Sequence, residues 1–176
     1  MSLKSEIENY KKGHLQNLEK KKEFYEKMSL TDAIKNAAIG STPFGTMDSH
    51  QRRVGKRKGE LGANELLKEE ARIKNRKTFE EIFKITEEVR RRVNGLGPLW
   101  SYDTTLRVGF NKRVYPNEVY VQSGVVKGVK KALNGKIPKG RSLPMSIFKD
   151  EFQNLEPYQL ENFLCIWGKD GKKSNC

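Results

Sequence analysis

The stretch Val93-Asn94-Gly95-Leu96-Gly97-Pro98 decides how the middle of this chain folds. It follows a segment with strong helical signals, and it ends in a proline, which suits the first turn of a further helix. Because two glycines flank a single apolar residue, the connection must be short and sharp. The sequence therefore predicts two consecutive helices joined by a tight turn.

The helix before this turn has a well-marked beginning and end. Residues 78–81, Thr-Phe-Glu-Glu, have the form of a capping box, in which a threonine and a glutamate satisfy the first free amides of a helix. Apolar residues then recur at helical spacing. Three arginines, at positions 90–92, stand in the last turn, where the helix dipole favours positive charge.

Similar spacing predicts helices elsewhere. An amphipathic helix is predicted over residues 3–28, a short helix over 29–38, and a helix after Pro98 with Tyr102 in the core. Gly40 to Thr46 has the composition of a loop. The predicted fold is mainly α: a compact multi-helix domain, residues 61–168, preceded by an N-terminal helical extension, 1–39, and a basic glycine-containing linker, 40–60, and followed by a disordered tail, 169–176.

The Gly95-Leu96-Gly97 turn and its proline resemble the helix-hairpin-helix motif of DNA-binding proteins over about residues 93–105. The resemblance implies that amides at the turn bind a DNA phosphate and that Leu96 fills the angle between the helices. Free amides at a helix N-terminus are natural anion donors. A plain corner between two helices explains the same residues without DNA. Residues 95–131 are also similar to a group of small bacterial proteins sharing this hairpin, a likeness that implies no activity.

The charge of the chain favours a polyanionic partner. Its 176 residues include 35 Lys and Arg against 22 Asp and Glu, a formal net charge of +13. Phosphate backbones are common partners of such proteins, although a solvated lysine-rich surface has the same composition. Between Thr104 and Lys149 the chain has ten basic residues and one acid. We therefore expect nucleic acid as the partner.

Two groups of basic residues are candidate phosphate contacts beside the turn residues Gly95, Leu96 and Gly97. The segment 49–58 carries five basic residues and no acid, and a mobile linker is the alternative interpretation. A helix ending at Asn134-Gly135 would place three lysines on one face. The candidate contacts from these two groups are Arg52, Arg53, Lys56, Arg57, Lys127, Lys130 and Lys131.

One residue is a candidate for catalysis. DNA glycosylases of the helix-hairpin-helix family use an aspartate after their hairpin, and Asp103 resembles it, with Lys112 as a second candidate. Asp103 follows Gly97 by only six residues, however, whereas the family places a whole helix between them. An ion pair with Arg107, four positions on, is the structural alternative. No residue set in the chain identifies a reaction.

Other features limit the class of protein. Cys165 and Cys176 form no disulfide framework and no apolar run is long enough to cross a bilayer, so we expect a soluble, cytoplasmic protein with reduced thiols. Zinc-ligand clusters, an NTPase phosphate loop and a nucleophilic serine elbow are absent from the sequence, which predicts no metal or cofactor. Three hypotheses remain: a DNA-binding protein, a glycosylase or lyase acting on DNA, and a structural adaptor whose N-terminal helix binds a partner or forms a homodimer.

Overall fold

A computed structural model describes residues 2–169, and within them the predicted mainly α class is confirmed. The α-helices, in chain order, are α1 (Leu3–Tyr10), α2 (Gln16–Glu26), α3 (Leu30–Ile39), α4 (Ser49–Val54), α5 (Lys56–Leu67), α6 (Glu70–Lys74), α7 (Phe79–Arg92), α8 (Pro98–Lys112), α9 (Val126–Ala132) and α10 (Pro157–Trp167). Shorter elements are a π-helical turn (Lys11–Leu15), the strands β1 (Val119–Tyr120) and β2 (Ser142–Leu143), and the 3-10 turns Met145–Ile147 and Asp150–Phe152. In this part of the chain, no helix combines the length and apolarity that a membrane span requires.

The described chain divides into two compact units. The central unit is Lys20–Tyr115, and the terminal unit is built from both ends of the described chain, residues 2–19 and 116–169. This division differs from the predicted boundaries at residues 39 and 60. The N-terminal segment is not an appended extension, because Ile7 and Tyr10 of α1 are buried in the core of the terminal unit. The predictions for the tail after Lys169, and for Cys176, lie outside the described residues. The prediction of a reduced thiol is wrong for Cys165, which is disulfide-bonded.

The terminal unit is organised around α10. Helices α1 and α9 both pack against it, and strand β1 lies beside it, paired antiparallel with β2 in the register Val119–Leu143 and Tyr120–Ser142. Helix α9 approaches α10 so closely that Gly128 contacts the backbone of Leu164. The buried core consists of Ile7, Tyr10, Val119, Val125, Val129, Ala132, Leu143, Phe148, Phe152, Leu155, Leu160, Phe163, Leu164 and Cys165.

The central unit is a helical core in which α3 packs on α5 and α8, and α7 packs on α8. The capping box predicted at Thr78 and Glu81 is confirmed at the start of α7. The contact between α7 and α8 includes a polar pair inside the core, because the hydroxyls of Thr86 and Thr105 lie 2.6 Å apart and Thr105 also donates to the carbonyl of Ser101 at 2.7 Å. Both threonines are therefore satisfied although they are fully buried.

Trp100, in the first turn of α8, fixes that helix to two others. Its indole Nε1 donates to the carbonyl of Ala38 at the end of α3 at 2.9 Å, and its ring lies over Gly62 of α5. A Cβ atom at Gly62 would come within 2.6 Å of the ring and 3.1 Å of Leu96. Helix α5 needs glycine there, because any side chain would push α5 away from the turn and from α8.

The segment 40–60, predicted as a basic linker, is largely ordered helix. Its first part is the predicted loop, closed by a bridge between Ser41 and Met47, but α4 and the beginning of α5 follow at once. Gln51 and Gly59 are buried. The linker interpretation is corrected because this segment packs on the core.

The predicted amphipathic helix at the N-terminus is present but interrupted. Its helical turns widen to π-helix at Lys11–Leu15, around Gly13, before α2 resumes the α-helical pattern. His14 is exposed and its ring is stacked near that of Tyr10, with centroids 6.4 Å apart. The next predicted helix is confirmed as α3, with Ser29 as its N-cap.

The Gly62 contact generates a stability prediction. We expect Gly62→Ala to lower the free energy of unfolding by about 1–3 kcal/mol, because overpacking against Trp100 outweighs the gain in helix propensity. Asn64→Ala is the matched control, since Asn64 is exposed on the same helix and should become slightly more stable. Urea unfolding measures both variants. A Gly62→Ala protein as stable as Asn64→Ala would contradict this packing.

Candidate nucleic-acid interface

The turn between α7 and α8 has a defined backbone geometry. Helix α7 ends at Arg92, and Val93 leaves the helix in an extended conformation. Gly95 has φ +89°, a left-handed conformation that favours glycine. Leu96 then points into the core, where it is 6% exposed, whereas Gly95 lies at the surface. The apolar side chain of the turn therefore fills the space between the helices.

The first turn of α8 has unused hydrogen-bond donors. Gly97 is the N-cap residue, and Pro98 occupies the first helical position. Among residues 2–169, no side chain caps this helix, no acidic residue stands in its first turn, and no carbonyl accepts from the amides of Gly97 or Leu99. The amide of Leu96 makes only a long bond, to the carbonyl of Val93 at 3.4 Å, and the carbonyl of Gly97 accepts from the amide of Ser101 at 3.4 Å. Free amides at the positive end of a helix dipole favour an anion.

A lysine from α5 lies directly against this turn. The side chain of Lys58 passes so close to Gly95 that a Cβ atom there would lie 2.5 Å from the ammonium nitrogen. Lys58 is exposed, and no carboxylate of the described residues lies within ion-pair distance of it. Its position follows from the packing of α5, since Lys58 is one helical turn before Gly62, which contacts Leu96.

The arginines at the end of α7 offer less positive charge to a ligand than their number indicates, because two of them form ion pairs with glutamates. Arg90 forms an ion pair with Glu87 at 3.0 Å, and Arg92 forms one with Glu69 at 2.7 Å. Hydrogen bonds from Arg92 and Arg72 lower the pKa of Glu69, which therefore remains a counter-charge. Lys58 thus supplies the cation in direct contact with the turn.

The other basic candidates of the central unit surround the start of α5. All four are exposed, but they differ in their partners: the guanidinium of Arg52 donates to the carbonyl of Met47 at 3.2 Å, and Lys56 lies 3.9 Å from Glu60. For Arg53 and Arg57, no ion pair is formed with any residue in the range 2–169. These two are the members of the segment most available to an anion.

The lysines of α9 belong to the terminal unit. Lys127, Lys130 and Lys131 are exposed, opposite the buried Val129, as the sequence predicts. The ammonium nitrogen of Lys131 lies 4.2 Å from the ring centroid of Trp167. The candidate phosphate contacts therefore fall into two groups, one in each unit.

Asp103 lies in a network of ionisable groups in the central unit. Its Oδ2 atom is 3.4 Å from Nδ1 of His50 and 3.9 Å from the guanidinium of Arg107. The predicted pairing with Arg107 is thus present as a long contact. Sequence reasoning did not find His50 as a partner of Asp103, because it is 53 positions away and no periodicity connects the two.

Arg107 is the centre of this network. Its side chain is 8% exposed and donates to Asp48 at 3.0 Å and to the carbonyl of Ala37 at 3.2 Å. Asp48 also accepts from Lys21 at 3.0 Å. Burial acts to raise the pKa of Asp48, but the charges and hydrogen bonds of Arg107 and Lys21 outweigh it and hold the pKa well below its ordinary value.

Lys112 does not join Asp103. It stands nine positions further along α8, about 13 Å along the helix axis, and its ammonium donates to the carbonyl of Lys74 at 2.9 Å. Burial, and then the charge of Lys77, lower the pKa of Lys112. The two candidates for lyase chemistry are therefore about 13 Å apart along α8.

Comparisons with known proteins found no matching family model, curated protein or solved structure. Within the described residues, no group of three or more His, Cys, Asp and Glu side chains is placed to hold a metal ion.

The Asp48–Arg107 pair predicts a pH-dependent stability. Folding lowers the pKa of Asp48 below the value of about 3.9 that an aspartate has in an unfolded chain. The pair therefore stabilises the protein fully at a pH well above this value, and the contribution is lost as the pH falls below about 4. We expect Asp48→Asn to lower the free energy of unfolding by about 3 kcal/mol at pH 7, because Arg107 loses its main counter-charge. The difference from wild type should narrow towards pH 3.

Urea unfolding between pH 7 and pH 3 measures this difference. Asp150→Asn is the control, since Asp150 is exposed, and its stability should stay within about 0.5 kcal/mol of wild type. A gap between wild type and Asp48→Asn that stays constant over the whole pH range would refute the assigned role of the pair.

Proposed function

We propose that this protein binds DNA by the phosphate backbone, using the turn at Gly95–Gly97 and the lysine beside it. The observation that carries the proposal is the coincidence of uncapped amides at Gly97 and Leu99 with the Lys58 ammonium at Gly95. A phosphate oxygen can accept from the amides while the lysine neutralises its charge. This is the interaction that the resemblance to the helix-hairpin-helix motif implies.

The remaining basic residues supply non-specific attraction in this proposal. Arg53 lies in α4 and Arg57 lies in α5. The lysines of α9 add a second cationic surface. Such contacts act on phosphate and carry no sequence information. We therefore propose binding that depends on salt concentration and is indifferent to base sequence. The apolar residues of α1 are already buried within the terminal unit, which does not favour the adaptor hypothesis.

Replacement of Lys58 tests the proposal. We expect Lys58→Gln to weaken binding to a duplex and to reduce the slope of log K against log salt concentration by about 0.9, the value for one lost phosphate contact. Fluorescence anisotropy of a labelled duplex at several salt concentrations measures both quantities. Lys84→Gln is the matched control: it removes the same charge from an exposed site on α7, about 12 Å along the helix from Arg92.

Two results would count against the proposal. One is wild-type binding that does not change with salt. The other is an equal effect of Lys58→Gln and Lys84→Gln, which would mean that only total charge matters and that the turn makes no specific contact.

A second candidate function is glycosylase or lyase chemistry on DNA, favoured by the contact between His50 and Asp103. A carboxylate hydrogen-bonded to Nδ1 of a histidine orients the ring and supports its second nitrogen as an acid or base. Here Nδ1 of His50 and Oδ2 of Asp103 are 3.4 Å apart and Oδ2 has no hydrogen-bond partner among the described residues, so this role requires the contact to shorten. Both side chains are largely but not fully buried, with 23% and 14% exposure. A partly exposed pair of this kind can transfer a proton to or from a bound substrate.

Incubation with damaged and abasic duplexes tests the second candidate. If the protein cleaves, His50→Gln and Asp103→Asn should each lower the rate by about a hundredfold or more, the size of a general acid–base contribution. Thermal unfolding of both variants separates loss of chemistry from loss of fold. Absence of cleavage by wild type, or full activity in a folded His50→Gln protein, removes this candidate.

A further inference from the structure

The terminal unit contains a pocket beside the π-helical turn. The cavity measures about 210 Å³ and is lined by Glu6, Asn9, Tyr10, His14, Phe163 and Trp167, together with Ile166. We call it the aromatic pocket. Widened π-helical turns are rare and often accompany functional sites, because they displace side chains from the regular helical positions. Here the turn Lys11–Leu15 carries His14 to the edge of the cavity.

Aromatic rings form most of the walls. Phe163 and Trp167 are stacked, with centroids 5.5 Å apart and planes at 26°, and Tyr10 meets Phe163 edge-on at 5.4 Å. The Tyr10 hydroxyl donates towards the carbonyl of Gln159 and the side chain of Asn162, both at 3.1 Å. These bonds hold the ring in place, and burial raises the pKa of Tyr10, so its hydroxyl stays neutral. An aromatic lining of this kind suits a flat ligand.

One donor in the lining has no partner. The Nε1 atom of Trp167 is buried, and nothing in the described part of the chain accepts its hydrogen bond. A buried donor left unsatisfied is unfavourable, and native proteins rarely leave one without a reason. The carboxylate of Glu6 adds an acceptor to the same lining. A ligand that presents both an acceptor and a donor on a flat ring matches these two groups.

Positive charge adjoins the same tryptophan. The Lys131 ammonium lies over the Trp167 ring at 4.2 Å, and Lys127 and Lys130 are exposed on the same helix, α9. Stacking rings next to cations are the combination by which proteins bind single nucleic-acid strands, with bases on the rings and phosphates on the lysines. A duplex offers no free base to such a pocket.

We propose that the aromatic pocket binds the base of an unpaired nucleotide, whose phosphate is held by the lysines of α9. The base stacks beside His14, accepts from Nε1 of Trp167 and donates to Glu6. This site is separate from the turn at Gly95–Gly97 and rests on the proposed function only in assigning phosphates to the α9 lysines. The shared ligand chemistry is a nucleobase with its phosphate, whether free or within a strand.

Binding of labelled single-stranded oligonucleotides tests the proposal. Wild type should bind a base-containing strand about tenfold more tightly than a strand of the same length made of abasic sugar-phosphates. His14→Ala should remove most of this difference, because His14 is exposed and its loss leaves the core intact. Gln16→Ala, an exposed change two positions away, should leave the difference unchanged.

Two further variants sharpen the test. Trp167→Phe keeps an aromatic ring but removes the N–H donor, so it should weaken binding of the base-containing strand and not of the abasic one. Lys58→Gln should leave the difference between the two strands unchanged, which separates a failure of this site from a failure of the turn. Competition by free AMP and GMP shows whether the base arrives as a free nucleotide or within a strand.

The proposal is overturned if wild type binds the two strands equally and free AMP and GMP do not compete. So does a His14→Ala protein that is indistinguishable from Gln16→Ala. A folded Trp167→Phe protein with unchanged preference for bases would also refute the assignment of the indole donor.

Discussion

The contact of Trp100 with Gly62 and Ala38 is the constraint on which the proposed interface depends. It seats the first turn of α8 on two other helices, and the absence of a side chain at Gly62 lets α5 come within van der Waals distance of the indole ring. Because Lys58 lies one helical turn before Gly62, the same close packing carries its ammonium to Gly95. The turn geometry and its cation are thus consequences of one packing arrangement.

The charges of the central unit are used in two different ways. Buried charges are paired: Arg107 with Asp48, and Glu69 with two arginines, so they stabilise the fold and leave little field for a ligand. Charges at the surface of α4 and α5 are mostly unpaired and remain available. The count of 35 basic residues therefore overstates the binding surface, because several arginines serve as internal counter-ions.

Sequence patterns predicted the local features of this fold well. The capping box at Thr78, the N-cap at Ser29 and the turn at Gly95–Gly97 are local, since each depends on residues only a few positions apart. Division into units and membership of the core depend on contacts between distant residues. This is why residues 40–60 were predicted as a linker and residues 1–39 as an extension, although Gln51 and Tyr10 are buried.

The candidate site was predictable only in part, for the same reason. The glycines and the proline identify the turn, and composition alone singles out the basic segment 49–58 only as a whole. The cation that touches the turn is Lys58, and only the helical spacing from Lys58 to Gly62 could have singled it out within that segment. The partner of Asp103, His50, and the aromatic pocket arise from tertiary contacts that no sequence period encodes.

Amide chemical shifts during a titration with duplex DNA test the central claim most directly. In a nitrogen–proton correlation spectrum, the account predicts that the amides of Gly95, Gly97 and Leu99 shift first and furthest, because they donate to the bound phosphate. The account is contradicted if these amides stay unchanged while lysine-rich surfaces elsewhere respond to the DNA.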